Sequence, residues 1–377
     1  MVNFTSNTYK MKREILTFSN KISKKLSKPS KKINSVDRLS KHLAKGIPQA
    51  ALIAYLAQVK KMCPKNPVIH IDDSDVVKPE GYKFESLGWV RDGSESTSSK
   101  CVYKKGYHVT EATVLTDSNH PVSIFSEIHS SNEKNFTSIN DVTFSAMNRA
   151  KNLFGKATFV MDRGYDDNKM FLKLDSLEQD YVIRLTAKRK LFYHNKWVFA
   201  TELCNRRKGK GKMHEAYLSH VKVQITASRK DMYLVMVYGI TEHPMMLATN
   251  KEIKSKEDVI AIAKHYFSRW KIEEDVRCKK QMFQFENFRV RKLSAINALN
   301  FYITLCMAFL AHISMKPETS ALKVSIIQKA DPVKEKVYFF QSPAPVGFIK
   351  VPLLSELSLC YFKKLTDWYF WEDILIF

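Results

Sequence analysis

The feature that most constrains this fold is a change of grammar at Pro67. From there PVIHIDDSDVV, GYHVTEATVLTD and PVSIFSEIHS follow one another, rich in β-branched and aromatic residues and joined by polar turns such as TDSNHP. Such runs read as three antiparallel strands. A helical segment then runs from Val142 to Phe154, followed by the short apolar strand KATFVMD ending at Asp162, a helix around Lys169 to Leu177, and the strand YVIRLTA. Strands first, then helix and strand in alternation, is an α/β pattern built on a mixed sheet flanked by helices.

The rest of the chain is organised around that unit. Residues 1–62 read as a helical N-terminal region suited to touching DNA, with stretches from Lys12 to Leu26, Val36 to Leu43 and Gln49 to Val59 punctuated by Pro29 and Pro48. Between 188 and 250 lies a second group of short strands (LFYH, KWVFATEL, EAYLSHVKVQI, MYLVMVYGI, PMMLATN), broken by the basic turn RRKGKGK at 206–212. It reads as an inserted β subdomain that divides the main unit into 63–187 and 251–315. SKED at 255–258 supplies a Ser N-cap with Asp three residues on, so one long helix is expected from there to about Met282. The apolar stretch Leu293 to Ile313 carries Asn297, Asn300, Thr304 and His312, which a helix packed on a sheet tolerates better than a bilayer span does. Residues 316–377 form an aromatic-rich C-terminal region, which reads equally as core or as a dimerisation surface.

With 61 Lys+Arg against 38 Asp+Glu the formal charge is +23, which attracts polyanions and gains affinity by releasing counterions from phosphates. Nucleic acid is the first candidate partner; a Lys-rich codon bias that only aids solubility is the other. Only 11 Gly and 12 Pro in 377 residues exclude collagen-like and linker-like chains. The six cysteines form no CxxC pair or zinc spacing and read as isolated, reduced core thiols. No secretory apolar run opens the chain, which points to a reducing cytoplasm and no membrane.

Three segments carry chemistry. In FVMDRGYDD, Asp162 leaves the end of an apolar strand, where α/β folds expose reactive groups, although Asp and Gly are also ordinary turn formers. In IHIDDSD another apolar strand ends in Asp72, Asp73 and Asp75; successive strand residues face opposite ways, so one of Asp72 and Asp73 is a candidate ligand. In HYFSRWKIEEDVRCKKQ, Tyr266, Arg269, Glu273 and Lys280 fall within about 60° of one another around a continuous helix. That stripe is either the wet side of an amphipathic helix or a carboxylate flanked by cations. Three separated carboxylates suit a pair of hard divalent cations for phosphoryl transfer, with Arg and Lys holding the phosphates.

The spacing Tyr-x2-Arg-x3-Glu-x6-Lys, matched by Tyr266, Arg269, Glu273 and Lys280, resembles the signature of the DDE transposases of the insertion-sequence-four family. DRGYD is similar to that family's second acidic block, and VIHIDDSDVVKP with ESLGWVRDGS to its first. The resemblance covers roughly residues 30–315. It implies an RNase H-like fold with a β-rich insertion before the Glu, and selects Asp72, Asp162 and Glu273 as catalytic metal ligands for two Mg²⁺ or Mn²⁺ ions. It further implies DNA contacts by Tyr266, Arg269, Lys280, Arg163 and Trp270. The implied activity is that of a bacterial insertion-sequence transposase: cut-and-paste cleavage at terminal inverted repeats and strand transfer into target DNA, by a homodimer on the nucleoid. A catalytically silent DNA-binding derivative is the alternative.

Overall fold

A computed structural model describes residues 40–97, 99–207, 217–225 and 229–315. The expected helix from Lys12 to Leu26, the basic turn from 208 on and the tail from 316 lie outside them. Helix α1 (Gln49–Lys61) leads into β1 (Val68–Val77), β2 (Gly88–Arg91), β3 (Tyr103–Leu115) and β4 (Pro121–His129). Then come α2 (Ile139–Phe154), β5 (Thr158–Met161), α3 (Asn168–Ser176) and β6 (Asp180–Arg184). The later part holds β7 (Lys190–Tyr193), β8 (Lys196–Phe199), α4 (Ala200–Arg207), β9 (Tyr217–Gln224), β10 (Asp231–Tyr238) and β11 (Met245–Thr249). Helices α5 (Lys256–Phe267), α6 (Trp270–Gln281) and α7 (Leu293–Met315) complete it.

The strands form one mixed sheet in the order β2-β3-β1-β5-β6-β11-β10-β9-β7-β8, with β4 beside β3. β1 pairs antiparallel with β3 and parallel with β5, and β5 pairs parallel with β6. This is the α/β, RNase H-like arrangement. β5 is buried at every position, as a parallel strand covered on both faces must be. Its Phe159 and Met161 enter the core with α2 and α3, while Val160 packs under α5 with Ile262 and Tyr266. The strands of the 188–250 segment continue the same sheet, joined where β11 pairs antiparallel with β6.

Local signals explain most boundaries. Ser138 opens α2 by accepting the Asp141 N–H, and Gly155, at φ 77°, closes it in a backbone region that other residues rarely adopt. Ser255 and Asp258 form the expected reciprocal capping box at the start of α5. In α7, Asn297 bonds both the N–H and the C=O of Ile128 at 2.8 Å, so a polar group in an apolar helix completes an edge strand. Among the described residues no helix is long and apolar enough to cross a membrane.

Three expectations about the strands and cysteines need correction. KWVFATEL is not one strand: β8 ends at Phe199 and α4 begins at Ala200, because Ala200, Leu203 and Cys204 recur at helical spacing and are all buried. The apolar strand does not end at Asp72: β1 runs through both Asp72 and Asp75 to Val77, its polar half held by pairing with β3. Cys101 is exposed and so is not a core thiol, while the other described cysteines are buried or half-buried.

Candidate active site

Strand register brings the first two acids together. β1 and β5 run parallel with Ile71 beside Met161, so Asp72 and Asp162 follow as the next residues of adjacent strands. Neighbouring strands lie about 4.8 Å apart, and residues in step point to the same face. Asp162 leaves the strand into the turn Arg163–Tyr165 and accepts the Gly164 N–H at 2.7 Å. Asp73 turns the other way, accepting the Thr110 hydroxyl at 2.6 Å. Tyr165 is buried with its hydroxyl close to Asp73 but outside hydrogen-bonding geometry.

The third acid arrives on a helix that is not continuous. Where one long helix was expected, α5 ends at Phe267 and α6 starts at Trp270. Between them the backbone switches to i to i+3 bonds, Lys271 N to Ser268 O at 3.1 Å and Ile272 N to Arg269 O at 3.0 Å. The break is pinned from below. Ser268 donates to the His265 carbonyl at 2.7 Å, so its oxygen accepts from His70 Nε2 at 2.9 Å, and His70 lies two residues before Asp72. Burial, with the positive charges of Arg269 and Lys271 nearby, pushes the His70 imidazole down to about 3, which keeps it neutral.

Arg269 then joins the pieces. Its guanidinium donates to Asp72 Oδ2 at 3.3 Å from one nitrogen and to Glu273 Oε1 from another. Burial pushes the Asp72 carboxyl up to about 7; Arg269 opposes the rise, and Asp162, Asp73 and Glu273 add to it. Asp162 is thus close enough for its charge to act on Asp72. Among the described residues no three His, Cys, Asp or Glu side chains are gathered as a metal would gather them, and the cation between Asp72 and Glu273 is Arg269. An all-oxygen donor set whose members repel one another, with a positive group already between two of them, fits a hard divalent ion in chemistry.

A cavity of about 290 Å³ opens beside the carboxylates, lined by Asp72, Asp73, Ser74, Glu273, Arg277 and Lys280 among others. Lys280 donates to the Asp75 carbonyl at 2.6 Å and pairs with Glu286 at 3.0 Å. Arg277 was not singled out from the sequence, yet it stands four residues after Glu273 on the same helical stripe, and that position was the available signal. Tyr266 is 6% exposed and packs in the core under α5 with Val160 and Ile262. Trp270 is exposed at the first turn of α6. Arg163 lines a separate cavity with Arg184 and His243. The second acid of DRGYD is structural: Asp166 accepts from Arg189 Nε and from both Thr186 N and its hydroxyl, tying the turn to the start of the inserted segment.

A family model described as the transposase DDE domain matches residues 64–309, more than half of the chain. In a search of curated proteins, none matches the chain.

Proposed function

The chain belongs to the family of transposase DDE domains, and from that premise we propose that it is the transposase of a bacterial insertion sequence of the insertion-sequence-four type. In this reading it cuts the ends of its own element and joins their 3′-OH groups to target DNA by cut-and-paste. The observation that carries the reading is the Arg269 bridge between Asp72 and Glu273, at a cavity that Arg277 and Lys280 line with positive charge. An acid cluster walled by cations is what a phosphodiester and its metal ions together require.

Asp72, Asp162 and Glu273 would hold Mg²⁺ or Mn²⁺, as a pair of ions. Such ions would supply activation of the attacking oxygen and charge stabilisation for the leaving one. The chain's own residues do the rest. Arg269 offers a planar fork for a phosphate once the carboxylates have another cation, and Tyr266 packs close to it. Lys280 and Arg277 hold the adjoining backbone, while Arg163 and Trp270 extend the DNA face to either side. Double-stranded DNA, as terminal inverted repeats and as target, is the partner, handled by a homodimer on the nucleoid of a bacterial cytoplasm.

The test is a cleavage assay on DNA carrying the gene's own flanking sequences, with Mg²⁺ or Mn²⁺, comparing the wild type with Glu273→Ala. Metal-dependent nicks at a fixed boundary, reduced at least about a thousandfold by the substitution, are expected. A protein that binds this DNA and never cuts it under either metal would instead be a silent DNA-binding derivative. Nicking that survives Glu273→Ala would remove the acid triad from the mechanism.

A further inference from the structure

A second patch lies on the sheet face that carries the carboxylates. β2 and β3 form a ribbon in which Trp89 is opposite Lys105 and Arg91 opposite Tyr103. Cross-strand partners share a face, and so do alternate residues along a strand. Lys105 and Tyr103 are therefore on the face of Tyr107, Val109 and Glu111. Glu111 bonds Lys279 of α6, and its β1 partner is Asp72. Tyr107 and Val109 are covered by Phe285 and Phe288, whereas beyond them the ribbon is bare. Trp89 is 58% and Tyr103 60% exposed, and Arg91 is exposed beside them.

The ribbon's two cations on this face are uncompensated among the described residues. Lys105 holds its ammonium 4.4 Å from the centre of the Trp89 ring, and among the described residues neither it nor Arg91 has a carboxylate partner. The ribbon's nearby acids, Asp92 and Glu95, are engaged by Lys104, whose side chain belongs to the other face. Gly106 marks a close approach: a Cβ there would meet the Val76 carbonyl oxygen at 2.4 Å, so the ribbon lies against the end of β1 with no room for a side chain between them.

We propose that Trp89, Arg91, Tyr103 and Lys105 form a clamp for the DNA backbone, distinct from the carboxylate cavity and in line with it. The proposal rests on that cavity being where DNA is cut, and it adds where the duplex is held. From the Glu111 row beside Asp72 to the Lys105 and Tyr103 rows is six and eight residues, or about 20 and 27 Å of strand. At about 3.4 Å per nucleotide step, the clamp grips phosphates about six to eight base pairs from the one being cut. The ring faces of Trp89 and Tyr103 lie against the sugars and hold the two cations at phosphate height. A polyanion suits this patch better than an apolar protein surface does, because its two cations have no carboxylates to satisfy them.

The experiment uses the full chain and Arg91→Ala/Lys105→Ala on labelled duplexes from the gene's flanks, with the nick first mapped using the wild type in Mg²⁺. Affinities are then read by anisotropy without metal, across about 50–200 mM salt, on duplexes trimmed on either side to end about 4 or about 12 base pairs from the nick. On the longer duplex the double variant should bind about tenfold more weakly, and its slope of log affinity against log salt should be shallower by about 2, one for each lost phosphate contact. On the shorter duplex the difference from wild type should vanish. Trp89→Ala/Tyr103→Ala, which keeps both charges, should lower affinity severalfold with a nearly unchanged slope. Equal binding by variant and wild type at both lengths overturns the clamp, and so does an equal loss at both. Unchanged DNA binding with altered self-association in sedimentation would make this face an interface between copies, which also overturns it. A wild type that binds but produces no nick sinks the catalytic reading first, and the clamp, having no cut to be measured from, falls with it.

Discussion

Arg269 touches carboxylates from two elements almost 200 residues apart in the chain, Asp72 on β1 and Glu273 on α6. Arg269→Ala would leave those acids facing each other and remove the fork proposed to hold a phosphate. Nicking should fall by about 10²–10³-fold, the usual cost of losing one electrostatic contact to a reacting centre. Arg269→Lys keeps the charge without the fork and should recover only part of the rate. Initial nicking rates at saturating metal decide it, and a full rescue by Lys would mean that charge alone matters. A second single-residue test concerns His129. Thr110 donates to Asp73, so its oxygen accepts from His129 Nε2 at 2.9 Å, and His129 Nδ1 is left buried without a partner among the described residues. Burial, with His108 stacked beside it, pushes this imidazole down to about 4, and only Asp75 opposes the shift. The unfolded chain therefore takes up a proton below about pH 6.5 that the folded chain refuses until about pH 4. Stability is lost as pH falls through that window. Between pH 7 and pH 5 the wild type should lose about 1–2 kcal/mol more than His129→Asn in urea denaturation. Equal losses would show that His129 protonates in place.

At the scale of elements, α6 is held against the sheet by a buried ion pair. Lys279 donates to both oxygens of Glu111 at 2.8 Å and to Ser126 at 3.1 Å, while Asn300 of α7 donates to the same Ser126 hydroxyl oxygen at 2.6 Å. Both charged side chains are nearly inaccessible, at 4% and 1% exposure. Lys279→Met leaves Glu111 and the buried Asp275 without their cation and should destabilise the fold by about 3–5 kcal/mol, whereas Lys279→Met with Glu111→Leu should recover much of that. Thermal melts of the single and double variants make the comparison; a double variant no more stable than the single would show that the pair is worth more than its desolvation. Because Glu273 lies less than two turns from Lys279, this pair also fixes which way Glu273 faces. Most of these elements were legible in the sequence, because period-two and helical patterns and the Ser255 cap report local geometry directly. The break at Ser268–Arg269 was not, since no Pro or Gly marks it and its cause is a bond from His70, far away in the chain. The polar half of β1 was hidden for a similar reason: DDSD reads locally as a strand exit, and only pairing with β3 keeps it extended. Glu273 and its stripe could be read from spacing, but the adjacency of Asp72 and Asp162 depends on a parallel register that spacing does not encode.

For the whole molecule, the excess of 23 positive charges makes a prediction separable from catalysis. If the charge serves DNA, each phosphate neutralised releases counterions, and log affinity falls with log salt at about 0.9 per contact. A chain that seats DNA in the carboxylate cavity and along the sheet beyond it should engage about six to ten phosphates and lose about 10³–10⁵ in affinity between 50 and 200 mM salt. Glu273→Ala removes a metal ligand and touches no phosphate in this reading, so its slope should match the wild type within about 1 while its nicking disappears. Binding isotherms across the salt series, read beside cleavage on the same duplex, make both measurements at once. A shallow slope, corresponding to two or three contacts, would mean that the surplus charge is spread over a solvated surface. The acid cluster would then have to recruit DNA through its own few cations, Arg269, Arg277 and Lys280. A steep slope shared by both proteins would show that the fold holds DNA with one set of groups and cuts it with another.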